Sequence, residues 1–443
     1  MAANIAAQGG ESQIKLFELY SNYKQEPTEV SSSCIELTYY ESILDSTVRA
    51  STTFTDTGYR KNKDGVSVFE KDDVNITSGE KIHLKIVDGY GTELKFENDN
   101  HLCVNGPLTA NVQTVNKVIY GLNMYSKESV DNNDASNWVY GKYEGRIPES
   151  VESILKNCLK TPKKIILDDG LNSYSFLGHA EKPLYLCTSL GKRTVPDLPN
   201  AFGNLAGYLF YETYDGYNFR SIDKLFTQKP KKRYAYTENI GEIPDKYDGV
   251  LLEFPSTGAI NLNDSIASGA FTNIRKQTYD RMKGTYSENS HSSKNSYLEY
   301  NNGGKEQAKI ASHTQIQEKV TRHTNATSPD TGILPAGRKL EQQIRLSQKE
   351  NFNLDEIQRQ SIMRYNQLFT HKISIAIAGD FSLRAGDLIF CDFPEVSGKV
   401  NRVVSQKLGG IYMIADIAHR ITKNNCYTRM NLVRDSIYRK PFK

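Results

Sequence analysis

Apolar and polar residues alternate with a period of two along much of the first third of the chain. Within 81–87, Ile82, Leu84 and Ile86 alternate with Lys81, His83 and Lys85; within 34–40, Ile35, Leu37 and Tyr39 follow the same rule. Such a period places one face of a strand on a core and leaves the other polar. Shorter runs at 14–20, 93–97 and 115–122 are separated by Gly, Asn and Asp clusters, the spacing of a sandwich or barrel.

The period changes further on. Val151, Ile154, Leu155, Cys158 and Leu159 recur at helical spacing. Pro148 suits a first helical position, Glu149 and Glu152 favour the N-terminal end, and Thr161-Pro162 stops the helix, which the pattern places near 148–160. Leu198, Phe202, Leu205 and Leu209 predict a second helix over 197–210. Its Gly203 and Gly207 have GxxxG spacing, but the segment is too short to span a bilayer, so close packing in a core is expected.

Residues 284–330 hold ten apolar residues in 47, about 21% against 38% for the whole chain. Such a segment buries little surface and reads as a polar extended or mobile insertion. Structure resumes after it. Asn353 with Glu356 resembles a capping box, and Leu354, Ile357, Tyr365 and Phe369 mark the buried side of a helix ending near 369. Strands are expected over 373–377, 388–393, 411–417 and 427–433.

The two ends of the chain share a pattern. Ser78-Gly79-Glu80-Lys81-Ile82-His83 resembles Ala385-Gly386-Asp387-Leu388-Ile389-Phe390. Each is a small residue, a Gly suited to a turn, an acid able to accept nearby amides, then a strand. Each is followed after a loop by a longer apolar strand. The pattern implies two similar β-domains at opposite ends of one chain; turns of this kind are also common by chance.

Composition narrows the class. A chain of 443 residues suits two to four domains. The 55 Lys and Arg against 52 Asp and Glu leave a net charge of +3, which demands no basic nucleic-acid face. No run approaches the roughly 20 apolar residues of a membrane helix, and the N-terminal MAANIAAQGG has neither a basic nor an apolar signal region. The six cysteines, Cys34, Cys103, Cys158, Cys187, Cys391 and Cys426, stand singly without CxxC spacing, so reduced buried thiols are expected.

Catalytic constellations are missing from the sequence. It has no G-x-x-x-x-G-K-[ST] loop, no strand-linked G-x-G-x-x-G and no G-x-S-x-G elbow. The eight histidines form no metal pair, and His83 and His419 read as solvated or hydrogen-bonded. Glu36, Asp45 and Ser51 approximate the acid–hydroxyl spacing of one class of phage lysozyme, in which paired carboxylates work as acid and nucleophile. Here Glu36 lies in an alternating strand, and spacing without its fold carries little. Lys229, Lys231, Lys232 and Arg233 beside Tyr234 suit a phosphate or acidic partner, or a solvated loop; Arg439, Lys440 and Lys443 read the same way. No catalytic, cofactor-binding or metal residue is assigned, and no cofactor is expected.

Residues 351–394, NFNLDEIQRQSIMRYNQLFTHKISIAIAGDFSLRAGDLIFCDFP, carry a family resemblance. They are similar to the baseplate central hub proteins of contractile-tailed, T-even-type bacteriophages, in which a helix and a strand lead to a turn of the form G-x-F-x-L-x-x-G-[DV]-x-I. Gly379, Phe381, Leu383, Gly386, Asp387 and Ile389 match that turn. Tyr412, Ile414, Ile417, His419 and Ile421 look like the family's Y-x-[IV]-x-x-[IV]-x-H-x-[IL] strand, which opens its last hairpin. Residues 14–18 and 37–44 resemble its opening V-K-L-F and L-T-x-x-[DE]-S-[IL] strands. The match is strongest over 350–435, fair over 14–60, and otherwise one of element order; the polar insertion departs from it.

The resemblance implies a mainly β fold with α+β elaborations, containing two similar β-barrel tube domains. It places a first barrel at 1–130, an α+β connecting domain at 131–215, a discontinuous second barrel at 216–283 and 331–443, and the insertion at 284–330. It implies a structural protein and not an enzyme: a homotrimeric, pseudo-six-fold ring joining the hexameric tail tube, or an adjacent ring protein, to the trimeric central spike. Baseplate wedge proteins would be neighbours, and DNA and tape-measure protein would pass through the lumen. Its place would be the virion tail baseplate, assembled in the host cytoplasm without membrane insertion. Three copies of a tandem barrel present six similar units, which resolves a six-to-three mismatch. A lumen of neutral or slightly negative charge would avoid trapping phosphate. The hub of a bacterial contractile injection system, a tail-associated cell-wall hydrolase and a glycan-binding tail protein remain as alternatives.

Overall fold

The computed structural model describes residues 10–23, 26–56, 76–106, 109–114, 117–197, 206–237, 243–257, 273–280, 285–292, 321–327, 371–394, 408–422 and 425–435, with the single positions 357, 361, 364, 365, 368, 369 and 405. The chain is mainly β. In the first third the alternating segments become β1 (Ser12–Tyr20), β2 (Cys34–Ser42), β3 (Arg49–Asp56), β4 (Lys81–Asp88), β5 (Leu102–Val104), β6 (Thr109–Thr114) and β7 (Lys117–Ser126). Ile82, Leu84 and Ile86 of β4 are fully buried with Phe17, Leu37 and Tyr39, while Lys81, His83 and Lys85 face away. Each such aliphatic side chain contributes about 1.5–3 kcal/mol on burial, so a register slip of one residue would forfeit the whole face.

The middle of the chain has its own core. Helix α1 (Lys127–Asp131) leads to α2 (Ile147–Ser153), with Pro148 in its first turn, which widens into a π-helical turn over Ile154–Cys158. Val151, Ile154, Leu155 and Leu159 are buried as the periodicity requires. The chain then breaks at Lys160, which adopts φ +51°. Helix α3 (Pro183–Gly191) and the hairpin β8 (Tyr208–Thr213) and β9 (Gly216–Ser221) complete the core. A short helix, α4 (Ile222–Leu225), follows.

The helix expected over 197–210 is corrected here. Residues 198–205 lie outside those described, and Tyr208, Leu209 and Phe210 belong to strand β8. All six β8 residues are buried: Tyr208 and Phe210 enter the middle core, whereas Leu209 and Tyr211 enter a neighbouring one. A strand apolar on both faces mimics helical spacing over a short window. Tyr217 and Phe219 of β9 pack in the middle core with Tyr208 and Phe210 of β8.

The last third builds β10 (Lys232–Tyr236), β11 (Ser256–Thr257), β12 (His371–Ala378), β13 (Leu388–Asp392), β14 (Gly410–Thr422) and β15 (Cys426–Arg434). Ile375, Ile389, Ile414, Met430 and Leu432 fill its core. The expected helix before β12 is present at 357, 361, 364, 365 and 368, with Arg364 fully buried between Asp223 (2.6 Å) and Asp435 (2.9 Å); the capping pair Asn353 and Glu356 lies outside the described residues. Within the polar insertion, Thr285–Ser292 and Thr321–Thr327 flank Asn273–Asp280 in a three-stranded sheet; 293–320 lie outside.

Strand order shows a duplication. The first unit runs β2–β3–β7–β5–β4–β1 and the last runs β11–β12–β15–β14–β13–β10. Strands in corresponding places also occur in the same order along the chain. Every neighbour in the first unit is antiparallel. The last unit repeats this except at its end, where β10 lies parallel to β13.

Candidate functional site: a sheet shared by two units

The repeated Gly-acid turn has the same geometry at both places. Gly79 (φ +86°) donates to the Val104 carbonyl at 2.9 Å, and the Val104 amide donates to the Glu80 carbonyl at 2.9 Å. Gly386 (φ +87°) donates to the Ile414 carbonyl at 2.8 Å, and the Ile414 amide donates to the Asp387 carbonyl at 2.9 Å. The acids close their own turns. Glu80 accepts the Thr77 amide (2.6 Å) and the Ser78 amide (2.9 Å); Asp387 accepts the Arg384 amide (2.9 Å). Positive φ makes Gly the undemanding choice at both sites.

The two units join edge to edge. β14 pairs antiparallel with β2, with Asp416 opposite Ser42 and Thr422 opposite Glu36. One antiparallel sheet of eight strands therefore runs β6–β7–β3–β2–β14–β15–β12–β11. Ile421 of β14 reaches across the joint and is fully buried in the first unit's core with Leu37. Beside it His419 is buried against the Tyr39 ring, with Nδ1 2.9 Å from Thr428 Oγ1. Burial pushes this imidazole down to about 3, helped by the charge of Arg384.

Buried acids fasten the joint to the middle of the chain. Glu41 of β2 accepts the Tyr214 amide (2.8 Å), the Ala385 amide (2.9 Å) and the Tyr39 hydroxyl (3.0 Å). Burial raises its pKa, against the pull of Arg384 and these donors. Glu212 of β8 accepts the Val48 amide (2.9 Å), the Ser126 hydroxyl (2.7 Å) and Lys163 (2.5 Å), which also reaches Glu128 (2.6 Å). Burial works against the Lys163 charge, but the two carboxylates outweigh it and hold its pKa above the ordinary value. Asp88 accepts the Phe381 amide at 2.7 Å, tying β4 to the turn before β13. These residues were not singled out in the sequence. Their one signal is an acid inside a run of β-formers, as in Tyr39-Tyr40-Glu41 and Phe210-Tyr211-Glu212.

The sheet face turned away from the cores is rich in small polar groups, among them Ser51, Thr53, Asn123, Ser374 and Asn431. Asp416 accepts Ser42 (2.6 Å) and Asn431 (3.1 Å), and Arg420 pairs with Glu36 at 2.7 Å. Exposed Arg49, Lys117, Lys372, Arg420 and Arg429 outnumber Glu36 and Asp416 on this face. It is mildly basic. Lys81, His83 and Lys85 lie elsewhere, on β4; Glu93 binds Lys85 at 3.1 Å.

The sequence's other candidates are dispersed. Glu36 lies near the start of β2 and Asp45 in the turn beyond its far end at Ser42, a strand span of roughly 20 Å at about 3.3 Å per residue, and Asp45 is paired with Arg49 at 3.3 Å. Ser51 lies opposite Thr38 in the ladder. Three of the four residues of the basic run are answered internally: Lys231 binds Asp387 (2.8 Å), Lys232 lies 3.8 Å from Asp380, and Arg233 stacks on Phe390, while Lys229 is exposed. Arg439, Lys440 and Lys443 lie outside the described residues. All six cysteines are free thiols, five of them buried. Among the described residues no group of His, Cys, Asp and Glu is placed to hold a metal ion, and no helix is long and apolar enough to cross a membrane.

The fold defines a class, mainly β with a duplicated strand order. No protein-family profile and no curated protein sequence matches the chain. Solved structures resemble it over nearly its whole length. A tail protein from Neisseria meningitidis is 7% identical, with a TM-score of 0.49, covering 96% of this chain and 97% of its own. The 43 kDa tail protein of prophage MuSo2 from Shewanella oneidensis is 8% identical, TM-score 0.49, covering 95% and 98%. An Escherichia coli component of the type VI secretion system, described as similar to T4 tail proteins, is 8% identical, TM-score 0.40, covering 96% and 78%.

Proposed function

We propose that this chain is the structural hub of a contractile-tail baseplate. Three copies close a ring of six similar units, matching a six-fold tail tube on one side and a three-fold spike on the other. The ring encloses a channel for DNA and tape-measure protein, and wedge proteins surround it. The observation that carries the reading is the duplication within one chain, with its two copies already joined edge to edge in a single sheet. Among the described residues this sheet ends in strands paired on one side only, and the unpaired N–H and C=O groups of such an edge are a template for pairing with another chain; head-to-tail repetition of one joint closes a ring when its rotation divides a full turn. The family resemblance of residues 351–394 supports the same role. The polar face of the eight-stranded sheet is suited to line the channel: its small hydroxyl and amide groups offer no deep site, and salt near 0.15 M screens its few charges beyond about 8 Å.

Light-scattering mass on the purified chain, with electron-microscope class averages of the same peak, tests this reading. The expected result is about 150 kDa, three times the 50.0 kDa chain, in a ring with six lobes. The measurement is repeated with the spike protein added, because some rings close only on a partner. A monomer or two-fold dimer under both conditions overturns the proposal.

A further inference from the structure

The duplicated turns allow the two units to be aligned residue by residue. Val104 and Ile414 hold corresponding places, since each exchanges the same pair of hydrogen bonds with its Gly-acid turn. Val104 lies opposite Met124 and Ile414 opposite Leu432. Stepping along β7 and β15 from there, Val118 corresponds to Cys426. Val112 is opposite Val118, and Ile421 is opposite Cys426, so β6 occupies the place of the distal half of β14. Val112 stands where Ile421 stands, Asn111 where Arg420 stands, and Ala110 where His419 stands.

The other edge aligns in the same way. Asn123 lies opposite Ser51, which lies opposite Thr38. Asn431 lies opposite Ser374, which lies opposite Ser256. Ser256 therefore corresponds to Thr38, Thr257 to Tyr39 and Pro255 to Leu37.

Inside the chain, the first member of each alignment meets the second: Ile421 faces Leu37, His419 faces Tyr39 and Arg420 faces Thr38. Their counterparts are apart. Among the described residues β6 has one partner strand and so does β11. The side chain that should fill a core is left in solvent: Ile421 is 0% exposed, and Val112 is 69% exposed.

We propose that β6 of one copy adds to β11 of the next in the register of the internal β14–β2 joint, with Asn111 opposite Ser256, Ala110 opposite Thr257 and Val112 opposite Pro255. Val112 then enters the partner's last-unit core as Ile421 enters the first-unit core of its own chain. The partner is a second copy because β11, which holds the place of β2 in the internal joint, lies at the opposite edge of the same eight-stranded sheet and, among the described residues, pairs on one side only. This rests on the ring reading above and adds to it the strands, the register and the anchoring residue.

Paired cysteines test the register in the full-length chain. The double variant Asn111→Cys with Ser256→Cys is oxidised, and its products are separated without reductant; either single variant is the control. A covalent trimer from the double variant alone supports the joint. A second variant, Val112→Asp, covers the case in which the double variant does not fold. It should keep the parent's melting temperature as a monomer and weaken assembly at least tenfold by light scattering. A trimer of normal mass without cross-link, or Val112→Asp that assembles like the parent, overturns this joint and leaves the ring standing. A chain that shows no assembly by mass, alone or with the spike protein, overturns the ring and this joint with it.

Discussion

The first and last units share one strand order and one turn, yet their surroundings differ. The turn at Gly79 is open, with nothing near the place a Cβ would take; at Gly386 the Tyr211 hydroxyl occupies that place. The outer edge of β14 is covered by β2, while β6 has no second partner among the described residues. Duplicated local structure has thus been put to two uses. One copy of the joint is built into the chain and buried, and its counterpart is left at the surface. Equivalent residues should therefore respond very differently to the same change.

The largest contrast is expected at the joint itself. Ile421→Ala empties a fully buried site and should cost about 2–5 kcal/mol. Val112→Ala in the unassembled chain should stay within about 0.5 kcal/mol of the parent. Urea unfolding of both variants measures the difference, and equal losses would break the correspondence. The turns come next. Gly386→Ala adds left-handed strain to a collision with Tyr211 and should cost about 2–4 kcal/mol, whereas Gly79→Ala should cost only the strain, about 1–2 kcal/mol. Thermal melts of the two variants rank them.

Acid distinguishes the joint from the open edge, because the place of His419 is taken by Ala110 in β6. Burial keeps His419 neutral in the folded chain, whereas an unfolded histidine charges below about pH 6.5. The unfolded state then binds more protons, so this stabilisation is complete above about pH 6.5 and declines as the pH falls toward 5. The decline should approach 1.4 kcal/mol per pH unit, about the limit for one group. Glu41 and Glu212, which burial holds above the ordinary carboxylate value, act in the opposite sense at lower pH. His419→Gln should flatten the slope between pH 6.5 and 5 in denaturant titrations. The smallest effect belongs to the exposed Arg420–Glu36 pair across the same joint: Glu36→Gln should cost at most about 0.5 kcal/mol, and less in salt. A larger loss would mean that surface charge, and not the buried Ile421, fixes the register.

Much of this was legible in the sequence. The alternation at 81–87 fixed both the strand and its buried face, because a half-buried strand writes its environment directly into a period of two. The Gly-acid repeat at 78–83 and 385–390 announced the duplication, since a left-handed turn needs glycine whatever surrounds it. Residues 208–210, the end of the helix expected over 197–210, form a strand instead, because both faces of that strand are buried, one in each of two cores, and that removes the period. Glu41, Glu212 and Lys163 were invisible as a network: their partners lie tens to hundreds of residues away, and only the folded chain brings them within hydrogen-bonding distance. By itself the sequence determined the strands, their inward faces and the repeated turn, all set by neighbours along the chain. Tertiary structure decided that the two units share one sheet, that Ile421 is buried and Val112 is not, and that the paired acids of the lysozyme-like spacing lie far apart. Each of these depends on which edges meet, and pairing between distant strands leaves no local mark on either one.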